Sequence, residues 1–329
     1  MTRTLYVTEQ GATLSRSGER LVVEKMGNVL AEIPASKISQ VFIFGNVTVT
    51  TPAIAYLLMQ GKDVAFLSSR GRYYGRLISS ESKSPTLRRA QLKASDDASI
   101  CLRLSKCFVA GKLRNQRRLL HRRPGPRSSL AADQITEALE GIENADDLET
   151  LRGLEGLAAR AYFRAFGEML KKMRFTERHR RPPPDPVNSL LSFGYTLLTY
   201  EAFSAVSAVG LDPYVGFFHR DTYGRPSLAL DIMEELRPAV VDLLVLGAVN
   251  RDQVRVENFE LGQEENKPIA LLKEDPRKRF LGLYEKRMMT RITHLSRTMT
   301  YRTAVHTQAR QVANYVKDPD RAYEAVLLR

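Results

Sequence analysis

The spacing of apolar residues changes once, sharply, near residue 80, and a chain with such a break cannot close into one uniform fold. Before the break, short β-branched and aromatic runs follow one another: Leu5-Tyr6-Val7, Leu21-Val22-Val23, Val29-Leu30-Ala31, Val41-Phe42-Ile43-Phe44, Val47-Thr48-Val49 and Val64-Ala65-Phe66-Leu67. Gly11, Gly18, Gly27-Asn28, Gly45-Asn46 and Gly61 separate them, as turns separate strands. This spacing predicts a small sandwich or roll. One short helix is expected over 53–60, capped by Thr51 with Pro52 at its first position. Residues 79–85 are polar and end in proline. Beyond them a 3.6-residue period predicts helices over about 86–122, 131–143, 146–172, 187–209, 226–249, 276–296 and 299–316, with β signal confined to 254–261. The fold class is therefore α+β, a small N-terminal β-sandwich-like domain (1–80) and a hinge (81–90) leading into a larger all-α domain (91–329). Pro124-Gly125-Pro126 ends the first long helix, and Arg180-Arg181-Pro182-Pro183-Pro184-Asp185-Pro186 reads as a stiff linker.

Charge narrows the partners. Fifty Lys and Arg against 37 Asp and Glu give a net charge of +13, which points to a polyanion. The charge is blocked rather than mixed. Residues 101–127 hold nine Lys/Arg and no acid, whereas 128–151 hold seven acids and no Lys/Arg. Residues 171–181 hold six basic side chains against Glu177, and ten more lie between Lys273 and Arg310. A solvated helix face usually mixes its signs, so these blocks suit a phosphate backbone. Candidate phosphate-backbone contacts are Arg114, Arg117, Arg118, Arg122 and Arg123 in the first block, Arg178, Arg180 and Arg181 in the second, and Lys286, Arg287 and Arg291 in the third. An anionic membrane surface fits less well, because no block carries a matching apolar face with Trp or Phe anchors. A spanning helix needs about 18 uninterrupted apolar residues, whereas the most apolar stretch, 239–249, is broken by Asp242. The first six residues form no secretory apolar region. Cys101 and Cys107, six apart in a helical stretch, read as free thiols of a reducing cytoplasm.

The residues that could carry chemistry are few. His121 and His179 lie in basic runs, and His294 and His306 on expected C-terminal helices without nearby acids in sequence. His219 differs, since it ends the apolar run Tyr214-Val215-Gly216-Phe217-Phe218. Twelve residues later Asp231, Glu234 and Glu235 follow a helix start at Arg225-Pro226-Ser227. Asp231 and Glu234 are three apart and share a helix face. A turn folding back would bring the His219 ring over that face. One nitrogen with one or two carboxylates suits Mn²⁺ or Mg²⁺. The same acids also suit a purely electrostatic role near a helix N-terminus. Glu155 sits mid-helix between Gly153 and Gly156, each about 1 kcal/mol worse than Ala there. Two readings fit: a ligand or backbone approaches closely beside Glu155, or two helices cross there with Glu155 paired to Arg152 or Arg160.

Three segments in this order, 152–163 (RGLEGLAARAYF), 188–195 (NSLLSFGY) and 210–238 (GLDPYVGFFHRDTYGRPSLALDIMEELRP), resemble the CRISPR-associated spacer-acquisition endonuclease/integrase family, the first of the numbered Cas proteins. The similarity runs over nearly the whole chain, including the TPAIAYLL helix and the closing helix around Gln308-Ala309-Arg310. The resemblance implies a divalent-metal site whose ligands fall on Glu155, His219 and Glu234, with Asp231 as a supporting or alternative ligand and Mg²⁺ or Mn²⁺ as the ion. It implies phosphoryl transfer on DNA, with water as nucleophile for cleavage or a DNA 3′-hydroxyl for joining a spacer to a CRISPR repeat. It implies a homodimer through the β domain and a complex with the second numbered Cas protein. The rival expectations are a non-catalytic nucleic-acid-binding scaffold and a general DNA-repair or RNA nuclease.

Overall fold

The computed structural model describes residues 3–77, 84–122, 125–179 and 182–328. The chain divides into two compact units, Met1–Glu81 and Ser82–Arg329. In the first, strands β1 (Arg3–Val7), β2 (Thr13–Ser17), β3 (Arg20–Lys25), β4 (Asn28–Pro34), β5 (Ile38–Phe44) and β6 (Thr48–Val49) precede helix α1 (Thr51–Met59), and β7 (Asp63–Leu67) and β8 (Tyr73–Leu77) follow it. They form two four-stranded sheets, ordered β1-β5-β7-β8 and β4-β3-β2-β6. β5 runs parallel to both β1 and β7 and is buried along nearly its whole length. A strand covered on both faces reads as a continuous apolar run, as ISQVFIF does. Its Val41 and Ile43 join Leu14, Leu21 and Val23 of the other sheet in one core. Met26 and Gly27, both at positive φ (50° and 78°), make the tight β3–β4 turn. The sequence reading missed β2, whose one large apolar residue is Leu14, and β8. It also misassigned the α1 cap: Thr50, not Thr51, accepts the Ala53 N–H, and Pro52 lies in the first turn.

The second unit is mostly helical: α2 (Pro85–Asp96), α3 (Ala98–His121), α4 (Pro126–Glu143), α5 (Leu148–Met169), α6 (Pro186–Val209), α7 (Ser227–Met233), α8 (Leu243–Asn250), α9 (Glu274–Met288) and α10 (Tyr301–Tyr315). It is not all-α. Two hairpins interrupt the helices, β9 (Phe259–Glu264) with β10 (Lys267–Leu272) and β11 (Arg291–His294) with β12 (Arg297–Thr300). The helix expected over 276–296 therefore stops at Met288, and His294 lies in a strand. Leu295 and Ser296 turn the second hairpin at φ of 49° and 58°, where β-branched and Thr-rich flanks favour strands over a continued helix. The helix expected over 86–122 breaks at Asp97, whose carboxylate caps α3 by accepting from the Ser99 and Ile100 N–H groups. α4 starts at Pro126, five residues before its expected start at 131. Residues 81–83 of the expected hinge, together with Arg123, Arg180 and Arg181, lie outside the described residues, and from Pro85 the chain is already helical.

The helix expected in one piece over 226–249 comes in three parts: α7, a wide π turn over Arg237–Asp242, and α8. Pro238 accounts for this. It has no N–H for the carbonyl four residues back, and its ring crowds that carbonyl, so the ladder widens. Packing of α6 against α7 and α10, and of α3 against α4 and α5, surrounds this broken helix. Residues 316–328 then return along the unit without regular structure. Asn115 of α3 ties them down, donating to the Val326 carbonyl (2.7 Å) and accepting from the Leu328 N–H (2.7 Å).

One ion network braces the C-terminal helices. The Arg302 guanidinium of α10, almost wholly buried, lies 2.8 Å from Glu201 of α6 and 2.7 Å from Glu285 of α9. Its charge belongs to the core, although the sequence counted it in a basic block. Removing one member of a buried ionic set leaves the others uncompensated, at about 3–5 kcal/mol. Arg302→Ala is expected to lower unfolding free energy by that much, as read from urea denaturation followed by circular dichroism.

Candidate active site

Asp231 organises the site from α7. Its Oδ2 accepts from the backbone N–H groups of Phe217 (2.7 Å) and Phe218 (3.1 Å), and its Oδ1 accepts from the His219 N–H (2.9 Å). The same Oδ1 lies 2.6 Å from His219 Nδ1. A carboxylate is an acceptor here, so Nδ1 donates and the ring's lone pair sits on Nε2. The loop reaches this close because residue 216 is glycine: a Cβ there would stand 2.6 Å from Ser227 Cβ and 3.0 Å from Asp231 Oδ2. Arg152 of α5 secures the loop from the other side by donating to the Phe218 carbonyl (2.7 Å).

His219 Nε2 faces Glu234 Oε1 at 3.7 Å. Glu234 is 2% exposed, and Arg237 lies 3.1 Å from the same oxygen. Its other oxygen, Oε2, is 2.6 Å from Lys112 Nζ of α3. That contact lacks hydrogen-bond geometry, so Oε2 is a buried acceptor with a cation beside it and no directed donor. The Lys112 ammonium also donates to Glu155 Oε1 on α5. Glu155, Glu234 and His219 are thus drawn together from α5, the end of α7 and the loop before it. Burial alone would raise the Glu234 carboxyl, but the charges of Arg237 and Lys112 outweigh it and hold it well below the usual range. Lys112 stays charged, because Glu155 and Glu234 overcome the desolvation of its ammonium.

Around this centre, the Arg237 guanidinium lies 5.0 Å from the Tyr195 ring centroid, and Arg178 lies over the same ring at 5.4 Å. The hydroxyls of Tyr162 and Tyr195 both donate to Asp242 in the π turn. Burial pushes Asp242 up to about 6 despite these donors. Tyr162 is fully buried and belongs to the core, whereas Tyr223 is wholly exposed. Glu235, next to Glu234, turns the other way, accepting from Gln308 Nε2 (2.6 Å) and the Val326 N–H (3.1 Å).

Glu155 pairs with neither Arg152 nor Arg160 but with Lys112. Among the described residues no helix crosses at its flanking glycines, since a Cβ added at Gly153 or Gly156 meets nothing within 4 Å. Lys112 and Arg237 escaped the sequence reading. Lys112 was visible in one respect, because it falls on the α3 stripe of Cys101, Leu104, Phe108, Gln116 and Leu119, a core-facing position that a solvated lysine would avoid. Of the candidate DNA contacts, Arg114, Arg118, Arg122, Lys286 and Arg291 are exposed. Arg118 also donates to the Leu328 carbonyl. Arg117, Arg178 and Arg287 are turned toward protein, bonding Thr136, Asn188 and the Ala239 carbonyl. Both cysteines are free thiols.

The donor set suits a hard divalent cation. It offers two carboxylates, one with a buried oxygen held only by its ion pair to Lys112, and an imidazole whose other nitrogen is fixed by a carboxylate, as ligating histidines commonly are. Asp231 has both oxygens committed to the loop. As they stand, no three His, Cys, Asp or Glu side chains among the described residues form a metal-holding group, and the Lys112 ammonium occupies the space between Glu155 and Glu234.

Comparison with known proteins gives the family. The family model of the CRISPR associated protein Cas1 matches residues 5–286. The CRISPR-associated endonuclease Cas1 3 of Thermus thermophilus is 39% identical over 330 residues, covering 99% of this chain and 97% of its own. A Cas1 protein of Thermotoga maritima shares the fold, with a TM-score of 0.83 at 24% identity over 99% of each chain. A chain of a Cas6-RT-Cas1–Cas2 complex superposes with a TM-score of 0.85 at 25% identity, covering all of this chain and 36% of that one. The chain belongs to the Cas1 family, the endonucleases of CRISPR adaptation.

Burial pushes the Glu235 carboxyl up to about 8, against the pull of the Val326, Gln308 and Tyr323 donors. Between the ordinary carboxyl value near 4.5 and about 8, the folded chain keeps a proton that the unfolded chain has lost. Stability therefore falls as pH rises through that window. The wild-type Tm, measured calorimetrically in chelator, is expected to decline from pH 6 to 8, and Glu235→Gln to flatten that slope.

Proposed function

We propose that this chain is a divalent-metal-dependent DNA endonuclease and integrase in which Glu155, His219 and Glu234 hold Mg²⁺ or Mn²⁺. The observation that carries this reading is the shared approach of Glu155 and Glu234 to one buried cation, with the Nε2 of a carboxylate-fixed His219 facing Glu234. When bound, the ion polarises a phosphate oxygen and stabilises charge on the attacking or leaving oxygen. Asp231 acts as a positioning residue: it locks the His219 tautomer and pins residues 217–219 to α7. Arg237 keeps Glu234 ionised and ready to ligate. Gly153 and Gly156 leave open space beside Glu155 through which a DNA backbone can approach, and the exposed Arg114, Arg122, Lys286 and Arg291 supply phosphate contacts. Water as nucleophile gives cleavage, and a DNA 3′-hydroxyl gives strand joining by the same displacement.

The proposed assembly is a homodimer through the β domain (1–80), joined beyond the hinge (81–90) to the catalytic domain (91–329), in complex with the second numbered Cas protein. Exposed Met26, Val29 and Leu30 at the β3–β4 turn and on the edge strand β4 favour the first contact. The Cas1–Cas2 complex among similar structures favours the second. No helix among the described residues is long and apolar enough to cross a membrane, in keeping with a cytoplasmic enzyme.

Glu155→Ala and His219→Ala are each expected to reduce Mn²⁺-dependent cleavage and strand joining by two orders of magnitude or more, on the order of 3 kcal/mol in the barrier. DNA affinity by fluorescence anisotropy should stay within about twofold, because phosphate contacts made elsewhere dominate binding. Undiminished activity in both variants would return the protein to a non-catalytic scaffold. Replacing Arg114 and Arg122 together by Ala is expected to lower DNA affinity and to reduce the slope of log affinity against log salt by about 1 per lost contact.

A further inference from the structure

We infer that Lys112 is a built-in counter-cation that holds the two acidic arms of the site together in the metal-free protein and competes with the divalent ion for them. The inference rests on the metal reading above and concerns a residue that reading does not use.

Lys112 is not a surface lysine bent inward by chance. Its side chain is 7% exposed, and the helix that carries it is fixed. A Cβ at the neighbouring Gly111 would stand 2.6 Å from Ala325 Cβ and 3.1 Å from Glu235 Cβ, so α3 is pressed against the chain on either side of the site. Asn115, one turn on, donates to the Glu235 carbonyl at 2.7 Å. The ammonium is thus delivered to one spot, where it bonds Glu155 Oε1 and stands 2.6 Å from Glu234 Oε2. A buried ammonium is tolerable only with compensating charge, and a buried carboxylate with a half-buried one close beside it needs a cation between them. Each explains the presence of the other.

The same contacts set up a competition. The oxygens that Lys112 engages are those offered to the metal, and Arg237 already neutralises the remaining Glu234 oxygen. A divalent ion taken up between Glu155 and Glu234 adds two positive charges against the ammonium, which then loses both its partners and meets repulsion in a poorly screened site. The four-carbon stem lets the ammonium swing aside while its backbone stays in place. Metal affinity is therefore set by what the ion gains minus what Lys112 gives up.

The test is Mn²⁺ titration of the intact protein, with free Mn²⁺ read by electron paramagnetic resonance, beside Tm in chelator and in Mn²⁺. Lys112→Met is expected to bind Mn²⁺ about tenfold or more tighter than wild type, which corresponds to about 1.4 kcal/mol. It should melt lower in chelator and gain more from added Mn²⁺ than wild type does. Lys112→Arg, which keeps the charge, is expected to bind no tighter than wild type. Lys112→Gln carries the same expectation as Lys112→Met if the latter is too unstable to purify. Unchanged or weaker Mn²⁺ binding in the neutral variants, with wild type binding normally, overturns the competition alone. No Mn²⁺ binding by wild type overturns the metal reading and this inference with it.

Discussion

The grip of one carboxylate on one loop underlies the site. Asp231 takes three consecutive backbone N–H groups and the His219 ring nitrogen, bonds that are strong because the acceptor is charged and shielded from water. They fix where the loop ends, which nitrogen of the imidazole carries the proton, and how the ring faces Glu234. A one-atom change at Gly216 would collide with the same carboxylate. The metal reading of His219 thus depends on an acid that has no oxygen left over to ligate.

Beyond that grip, the chain arranges buried charge so that little is left unbalanced. Glu234 is flanked by Arg237 and Lys112, and Arg237 in turn lies over the Tyr195 ring, whose hydroxyl reaches Asp242. The π turn forced by Pro238 falls between Glu234 and Asp242 and changes the helical phase between them. The break in the ladder thus carries two members of the charge cluster, Arg237 and Asp242, at its two ends. Glu235 is directed toward Gln308 and Val326 instead, which separates two adjacent glutamates into different environments, one held ionised and one held protonated.

Much of this was legible in the sequence, and the failures have physical causes. The shift from a two-residue to a 3.6-residue period marked the change from sheets to helices, and the apolar run before His219 and the acids after it marked the elements that meet. Strand β2 was missed because one leucine carries its burial, and the β11–β12 hairpin because apolar residues three and four apart also occur by chance in alternating segments. The break at Asp97 was hidden by continuous helical periodicity on both sides of a cap. Lys112 was hidden because a basic residue in a basic block looks like surface, and Arg237 because a lone arginine after two glutamates looks like an ordinary solvated ion pair. Only the partners supplied by distant helices show that these two are interior charges, and likewise that Arg302 is a brace rather than a phosphate contact.

The strap formed by residues 324–328 has a consequence for how the protein is made. Asn115 and Val326 are 211 positions apart in sequence, and Glu235 and Val326 are 91 apart. Contacts of such separation close late, since the entropy of the intervening chain must be lost before they form. On the ribosome α3, α5 and the broken helix all emerge before the segment that bolts α3 to Glu235. The nascent helical unit therefore waits with that face of α3 uncovered until the strap residues follow and close it.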